Sequence, residues 1–285
     1  MTYATLMVHL ELGRSNAALL KITGDLAQRF KASVMGIAAR QPLQMFYGDG
    51  YVTGDFYQQD EIEVAKALKA AEAEFRASLH HCAPSIEWRS ARTYASLADY
   101  LVGEARSADL IVTSVASGDL FDASRSVNIG DLIMQAGRPV LTVPTFQHSS
   151  GTEGSSVSEL KLNRILVAWK DTREARRAAA DALPLLRQAD AVSVVEIAAE
   201  DDLDAAHQRV SDVVKWLKRH QIHAEGSAQI STANDAIALY TLCLERGADL
   251  IVAGAYGHSR LREWVLGGVT RDLLLSPNRC SFVSH

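Results

Sequence analysis

The feature that most constrains the fold of this chain is an internal duplication. The segment Ala108-Asp-Leu-Ile-Val112 recurs as Ala248-Asp-Leu-Ile-Val252. An amphipathic helical pattern precedes each copy, at 96–106 and at 235–246. A repeat of this length indicates that one folding unit occurs twice, so both halves of the chain are expected to adopt the same fold.

Each half alternates short apolar runs with segments of helical periodicity, and strands that alternate with helices imply a parallel sheet covered on both faces. We therefore predict an α/β chain of two tandem, doubly wound domains, each a mostly parallel five-stranded sheet with helices on both faces. In the second half the predicted strands are 165–169, 192–197, 224–230, 250–253 and 281–283, and the predicted helices are 174–187, 204–220, 234–246 and 269–275.

The two predicted domains cover residues 1–147 and 160–285. Between them, residues 148–159 are small and polar, a composition typical of a linker. The first half also contains an insertion at about 42–58 that concentrates aromatic side chains and glycine in a predicted loop. Two interpretations of this insertion are open: it binds a partner or ligand, or it packs against its own domain.

The last strand of each half has a matching sequence, 138–144 in the first half and 279–284 in the second. Similar halves of one chain are expected to pair as two subunits of a symmetric dimer would. We predict an intrachain pseudo-dimer in which Val140–Val143 pairs with Ser281–Val283; a homodimer of the whole chain is a further interpretation.

Composition and charge exclude several classes of protein. The formal net charge of −5 argues against a nucleic-acid-binding protein, and no apolar stretch reaches the length of a membrane span. No signal peptide is recognisable at the N-terminus. The three cysteines, Cys82, Cys243 and Cys280, are widely separated, so free thiols in a cytoplasmic protein are expected.

The second copy of the repeated strand leads into a glycine-rich segment, 254–270, with the spacing Gly-x2-Gly-x9-Gly. Glycines between a strand and a helix let backbone N–H groups face an anion. Two interpretations are open here as well: the glycines hold the phosphates of a nucleotide, or they serve only a turn of the backbone.

Both halves resemble domains of the universal stress protein family, and the resemblance covers nearly the whole chain. It is carried by the strand at 165–169 with the segment after it, by the repeated Ala-Asp-Leu-Ile-Val strand, and by the glycine loop. The resemblance implies small α/β domains that pair through their last strands. It also implies a role in stress survival, with ATP bound by some members of the family and not by others.

Carried over residue by residue, the resemblance implies one adenine-nucleotide site, in the second domain only, with Mg²⁺ if ATP is bound. The first-half loop, 114–130, has lost almost all of the glycine spacing. The implied cofactor-binding residues are Ala168, Trp169, Lys170, Gly254, Gly257, His258, Gly267, Gly268, Val269 and Thr270.

This sequence departs from the family pattern at two positions of that site. Lys170 stands where nucleotide-binding members usually have Asp, and Gly268 replaces a Ser or Thr. A lysine only donates hydrogen bonds, so it cannot accept them from a nucleoside, although its charge can pair with a phosphate. In the first half the corresponding stretch, 9–13, also lacks a clear Asp.

We therefore expect a non-enzymatic stress-response protein. The alternatives are a nucleotide-free interaction module, or a weak ATP-hydrolysing or adenylyl-transferring enzyme for which Asp171 would be the nearest metal-binding carboxylate. No catalytic residue and no metal site is predicted. The histidines at 80–81 and at 220 and 223 are interpreted as exposed residues near helix ends, because a structural zinc site needs about four ligands.

Overall fold

The computed structural model describes residues 2–42, 54–116, 126–147, 153–154, 157, 159–230, 235–255 and 279–285. In the first half the strands and helices alternate from the first strand to the last. The strands are β1 (Thr5–His9), β2 (Ser33–Arg40), β3 (Ile86–Arg92), β4 (Leu110–Ala116) and β5 (Val140–Gln147), and the helices are α1 (Ala17–Phe30), α2 (Gly54–Leu79), α3 (Leu97–Glu104) and α4 (Ile129–Gln135).

The second half repeats this order within its described residues, after a two-residue strand, β6 (Glu153–Gly154), that pairs with the end of β5. Its strands are β7 (Arg164–Trp169), β8 (Ala191–Ala198), β9 (Ala224–Ile230), β10 (Leu250–Gly254) and β11 (Cys280–Ser284), and its helices are α5 (Arg173–Asp181), α6 (Leu183–Leu186), α7 (Leu203–Arg219) and α8 (Asp235–Glu245).

The strands form one continuous sheet in the order β3-β2-β1-β4-β5-β11-β10-β7-β8-β9. Within each half all neighbouring strands are parallel, and the order is the same in the two halves. The predicted fold class is confirmed: each half is a parallel five-stranded sheet of the doubly wound type.

The halves meet where β5 and β11 pair antiparallel, which is the strand pairing predicted from the sequence. Phe282 lies opposite Leu141, and these two residues hold equivalent places in the duplicated last strand. The register is therefore self-complementary about this pair, as at the interface of a symmetric dimer. Both side chains are fully buried in the main hydrophobic cluster, so the core runs without interruption from one half into the other.

The repeated Asp of Ala-Asp-Leu-Ile-Val has the same structural role in each half. The Asp109 carboxylate accepts hydrogen bonds from the backbone N–H groups of Ala4 and Thr5, at 2.8 and 2.9 Å. The Asp249 carboxylate accepts one from the backbone N–H of Arg164, at 2.9 Å. Each Asp thus anchors the beginning of the neighbouring strand, which explains the motif without a ligand.

Strand alternation divides the core between the two faces of the sheet. In β7, Ile165 and Val167 join the main cluster, whereas Leu166 joins a separate cluster with residues of α8. Both faces of the strand are therefore buried, as the continuous apolar run of β7 predicts.

Two predictions about local structure were wrong in part. The helix expected at 174–187 divides at Ala182 into α5 and α6, because Pro184 has no N–H to donate to a helical carbonyl. The insertion predicted as a loop at 42–58 is already helical from Gly54 onward, since α2 begins there; residues 43–53 lie outside the described part of the chain. No described helix is both long enough and apolar enough to cross a membrane.

Candidate functional site

In each half, two central strands end side by side at the carboxyl edge of the sheet. They are β1 and β4 in the first half and β7 and β10 in the second. From β7 the chain continues to β8 on one side, while β10 lies on the other side. Ligands of doubly wound sheets bind outside the carboxyl ends of the strands at such a switch point.

The last two residues of β7, Ala168 and Trp169, face opposite sides of the sheet. Ala168 packs against the cluster that includes α8, and Trp169 packs against the main cluster. The indole N–H of Trp169 is buried and has no hydrogen-bond partner among the described residues. On the α8 side of the sheet, the carboxyl end of β7 therefore presents the small Ala168 side chain and the backbone, but not the Trp169 ring.

The connection from β7 to α5 is three residues long and ends in a helix cap. The Thr172 hydroxyl accepts a hydrogen bond from the Ala175 backbone N–H, which makes Thr172 the N-cap of α5. Asp171 pairs with Arg176 at 2.6 Å. The exposed Lys170 ammonium makes no hydrogen bond or ion pair with any residue that the structure describes.

Gly254, the last residue of β10, lies directly against the first turn of α5. A Cβ atom at this position would lie 2.4 Å from the Ala175 backbone nitrogen. A distance that short excludes any side chain unless the helix shifts. The first glycine of the predicted nucleotide loop is therefore required by helix packing, whether or not a ligand binds.

The first turn of α5 also has its own anion, the buried carboxylate of Glu174. Burial raises the pKa of this carboxyl group, but its own backbone N–H, Arg173 and Thr172 outweigh burial, so that the pKa is lowered. Part of the hydrogen-bonding capacity at this helix N-terminus is thus used within the chain.

The remaining predicted site residues lie outside the described residues. They are Gly257, His258, Gly267, Gly268, Val269 and Thr270, and the helix predicted at 269–275 falls in the same segment.

In the first half the structure places a carboxylate that the sequence analysis missed. The strand pairs Leu6–Leu110 and Ile165–Leu250 are equivalent, because Leu110 and Leu250 begin the same repeated run. Counting from these pairs, Glu11 is the counterpart of Lys170. Superposing 5–11 on 164–170 in the sequence would have revealed this carboxylate.

Glu11 belongs to a closed hydrogen-bonded cluster. Its carboxylate accepts a hydrogen bond from the Ser114 hydroxyl at 2.8 Å and pairs with Arg14 at 3.3 Å. Asn16 accepts a hydrogen bond from the Glu11 backbone N–H and donates one to its carbonyl oxygen. The charged end of Glu11 is thus held within the chain and faces the counterpart of Gly254, which is Ser114.

His9 lies just behind this cluster, at the end of β1. Its ring Nδ1 is 3.1 Å from the Thr113 hydroxyl oxygen, and both residues are buried. Burial lowers the pKa of His9 to about 4, so the imidazole is neutral near pH 7. Its counterpart in the second half is Ala168, so the second half has no titratable group in this position.

The remaining titratable residues considered in the sequence are four histidines and two cysteines, and their surroundings are those of surface or packing residues. His80, His81 and His223 are exposed and His220 is half-buried, and no group of three metal-ligating side chains occurs among the described residues. Cys243 and Cys280 are buried and free, and burial raises the pKa of Cys280 to about 12. A thiol with that pKa is an unreactive packing residue.

Comparison with solved structures shows where this fold occurs. The chain aligns over 98% of its length with 95% of a universal stress protein from Archaeoglobus fulgidus DSM 4304, at a TM-score of 0.72 and 12% identity. A functionally unknown protein from Pseudomonas aeruginosa PAO1 matches at a TM-score of 0.62 and 14% identity, over 99% of this chain and 92% of that one.

A third match is a protein from Pseudomonas aeruginosa UCBPP-PA14 that is described as a universal stress protein. Its TM-score is 0.61 at 14% identity, and the alignment covers 99% of this chain and 93% of that one. No family model and no curated protein matches the sequence. The resemblance found in the sequence is thus confirmed at the level of the fold, which is that of a universal stress protein across both halves.

Proposed function

We propose that this chain is a two-domain universal stress protein, with domains 1–147 and 160–285, that acts by binding rather than by catalysis. Its second domain alone would bind an adenine nucleotide such as ATP, with Mg²⁺. The fold shared with a universal stress protein across both halves supports the family. The observation that carries the proposed site is the exposed Lys170 ammonium at the switch point of the second half, which has no partner within the described part of the chain.

The charge at the carboxyl ends of β7 and β10 supports a phosphate as the group recognised there. Asp171 is neutralised by Arg176, whereas Lys170, one residue earlier, is exposed and has no described partner. A compact ammonium attracts phosphate as a point charge and accepts no hydrogen bond from a ribose. We therefore infer that this site holds the nucleotide mainly by its phosphates.

The same contacts argue against the enzymatic alternative. Catalysis of phosphoryl transfer needs a carboxylate that is free to hold Mg²⁺ near the phosphates. Asp171, the nearest such group in the sequence, is engaged by the Arg176 guanidinium at 2.6 Å. Both side chains of this ion pair are exposed, so opening it for Mg²⁺ would cost about 1 kcal/mol or less, and the described residues favour binding without turnover by only that amount.

A nucleotide-free interaction module is the second candidate, and the packing of Gly254 favours it. Since that glycine is already required by α5, its presence is not evidence of a ligand. Glu174 also occupies part of the N-terminus of α5, where a phosphate could otherwise bind.

Isothermal titration calorimetry with nucleotide-stripped protein distinguishes the two candidates. We expect ATP to bind with and without Mg²⁺, and the variant Lys170→Ala to weaken binding by about tenfold, since a charged hydrogen bond contributes about 1.5 kcal/mol. Glu11→Gln, the matched change in the first half, should leave the affinity unchanged. Absence of heat with ATP, ADP and AMP would establish the nucleotide-free candidate instead.

A further inference from the structure

The two halves differ on the outer strands of the sheet, on the face covered by α3 in the first half and by α8 in the second. Strand register makes Met35 the counterpart of Ser193, because these residues lie opposite Met7 and Leu166. By the same register, Glu87 corresponds to Glu225, and Arg89 corresponds to Ser227. The acidic residue is thus kept while both of its large neighbours become serines.

In the first half this place is filled by side chains. Met35 is buried, and the Arg89 guanidinium donates to the carboxylates of Glu87 at 2.7 Å and Glu104 at 2.5 Å. These ion pairs raise the pKa of Arg89, so its charge is fixed. The acidic group of the first half therefore has a cationic partner within its own chain.

In the second half the same place is a pocket of about 410 Å³, at the beginning of β7 and β10. The pocket is open to solvent, since Arg164 and Glu225 in its lining are exposed, so it suits a small ligand held by charged groups at its rim. Ser193, which lines the pocket, is too small to fill the space that its counterpart Met35 fills in the first half. Ser227, the counterpart of Arg89, lies outside the lining and accepts a hydrogen bond from Arg246, which does line it. The polar and charged side chains that line the pocket are those of Arg164, Ser193, Glu225 and Arg246.

The two arginines are positioned by contacts at the end of α8. The Arg246 guanidinium donates to the Ser227 hydroxyl at 2.6 Å, and that of Arg164 donates to the Arg246 carbonyl oxygen at 3.4 Å. Gly247 has a φ of +58°, and a Cβ atom there would lie only 3.2 Å from the Arg164 guanidinium. The backbone turn thus leaves room for Arg164 beside the pocket.

The charges in this pocket are unbalanced in a specific way. Within the described part of the chain, neither arginine makes an ion pair, and the Glu225 carboxylate has no hydrogen-bond or ion-pair partner. A purely anionic ligand would pair with the arginines but leave Glu225 without a partner, and a purely cationic ligand would pair with Glu225 but leave both arginines without one. A ligand that carries both charges meets favourable partners at each end.

We infer that this pocket binds a small zwitterion of the α-amino acid class. Arg164 and Arg246 bind its carboxylate, and Glu225 binds its ammonium group in the place that Arg89 takes in the first half. The site lies at the amino edge of the second-half sheet, opposite to the edge that carries Lys170. It is therefore independent of nucleotide binding.

The test is calorimetric titration of the full-length protein with three probes: L-glutamine, acetate and methylammonium. We expect L-glutamine to bind at least about tenfold more tightly than either singly charged probe, because it gains two charge-assisted contacts. Ser227→Arg, which places a cation beside Glu225 as Arg89 stands beside Glu87, should abolish binding. Ser227→Ala removes only the hydrogen bond that positions Arg246 and should weaken binding by less than about tenfold. Lys170→Ala should leave L-glutamine binding unchanged.

Equal affinity for L-glutamine and acetate, or unchanged binding by the Ser227→Arg variant, would overturn the inference. If Ser227→Arg fails to fold, as judged by circular dichroism, Glu225→Gln decides, because the side chain of Glu225 is exposed. A tenfold loss of L-glutamine affinity in Glu225→Gln with acetate affinity retained supports the zwitterion site, and an unchanged L-glutamine affinity refutes it.

Discussion

At the carboxyl edge of the sheet, equivalent strands of the two halves carry different side chains with opposite charge. In the first half, Glu11, Ser114 and His9 form or adjoin a polar cluster whose hydrogen bonds are closed within the chain. In the second half their counterparts are Lys170, Gly254 and Ala168, and this lysine has no partner among the residues that the structure describes. The half with a carboxylate lacks the glycine, and the half with the glycine lacks the carboxylate.

The connection after the first strand explains how such different edges fit one fold. Helix α1 begins at Ala17, six positions after Glu11, whereas α5 begins at Arg173, three positions after Lys170. The longer connection leaves space for the Ser114 side chain, and the shorter one presses α5 onto Gly254. The sheet register is preserved in both halves, so within the sheet the two halves differ in side chains and not in strand pairing.

The largest effect is expected at the junction that both halves share. We expect Phe282→Ala to lower the free energy of unfolding by about 4 kcal/mol and Leu141→Ala by about 3 kcal/mol, because each leaves a cavity in a fully buried core. Urea denaturation followed by circular dichroism measures both. Ile62→Ala, on the exposed surface of α2, is the control and should cost less than about 0.5 kcal/mol.

Because the core is continuous, the wild-type protein and both junction variants should unfold in a single transition. Two separate transitions, with the first unaffected by Phe282→Ala, would show that the halves are energetically independent in spite of their shared sheet.

The second prediction concerns pH. At the carboxyl edge of the sheet, acid should lower stability through His9, which only the first half has. The pKa of His9 falls from 6.5 to about 4 on folding, so below about pH 6.5 the unfolded chain binds a proton that the folded chain does not. Stability from this group should therefore be complete above pH 6.5 and decline toward pH 4, by up to about 3 kcal/mol.

Urea denaturation across that pH range provides the measurement. His9→Leu should flatten this part of the pH profile, and His81→Gln, a change at the surface, should not. An unaltered profile in His9→Leu would mean that other groups cause the acid sensitivity.

The smallest effects compare the counterparts Gly254 and Ser114. Gly254→Ala should cost about 2 kcal/mol, because the new methyl group collides with the backbone of α5. Ser114→Ala should cost about 1 kcal/mol, the contribution of its hydrogen bond to Glu11. Thermal unfolding of the two variants tests this order. A smaller loss for Gly254→Ala than for Ser114→Ala would mean that α5 packs less tightly on Gly254 than the structure shows.

Most of the fold could be predicted from the sequence, whereas the nucleotide site stays a prediction, because six of its ten residues lie outside the described part of the chain. The strands at 165–169, 192–197, 224–230, 250–253 and 281–283 were all located to within a residue or two, since apolar periodicity is a local property. The division of the helix at Ala182 was missed although Pro184 signals it. The carboxylate of Glu11 could have been found by superposing 5–11 on 164–170, but its bond to Ser114 could not, because 103 residues separate the two along the chain.

The sequence by itself determined that one α/β unit occurs twice and that the last strands match. Repetition and periodicity are visible in short stretches of consecutive residues, without knowledge of their contacts. Only the tertiary structure decided that Leu141 faces Phe282, that Gly254 touches α5, and that Ser193 lines an open pocket where its counterpart Met35 is buried. Each of these facts joins residues far apart in the chain. Their contacts follow from packing and register, which no local pattern encodes.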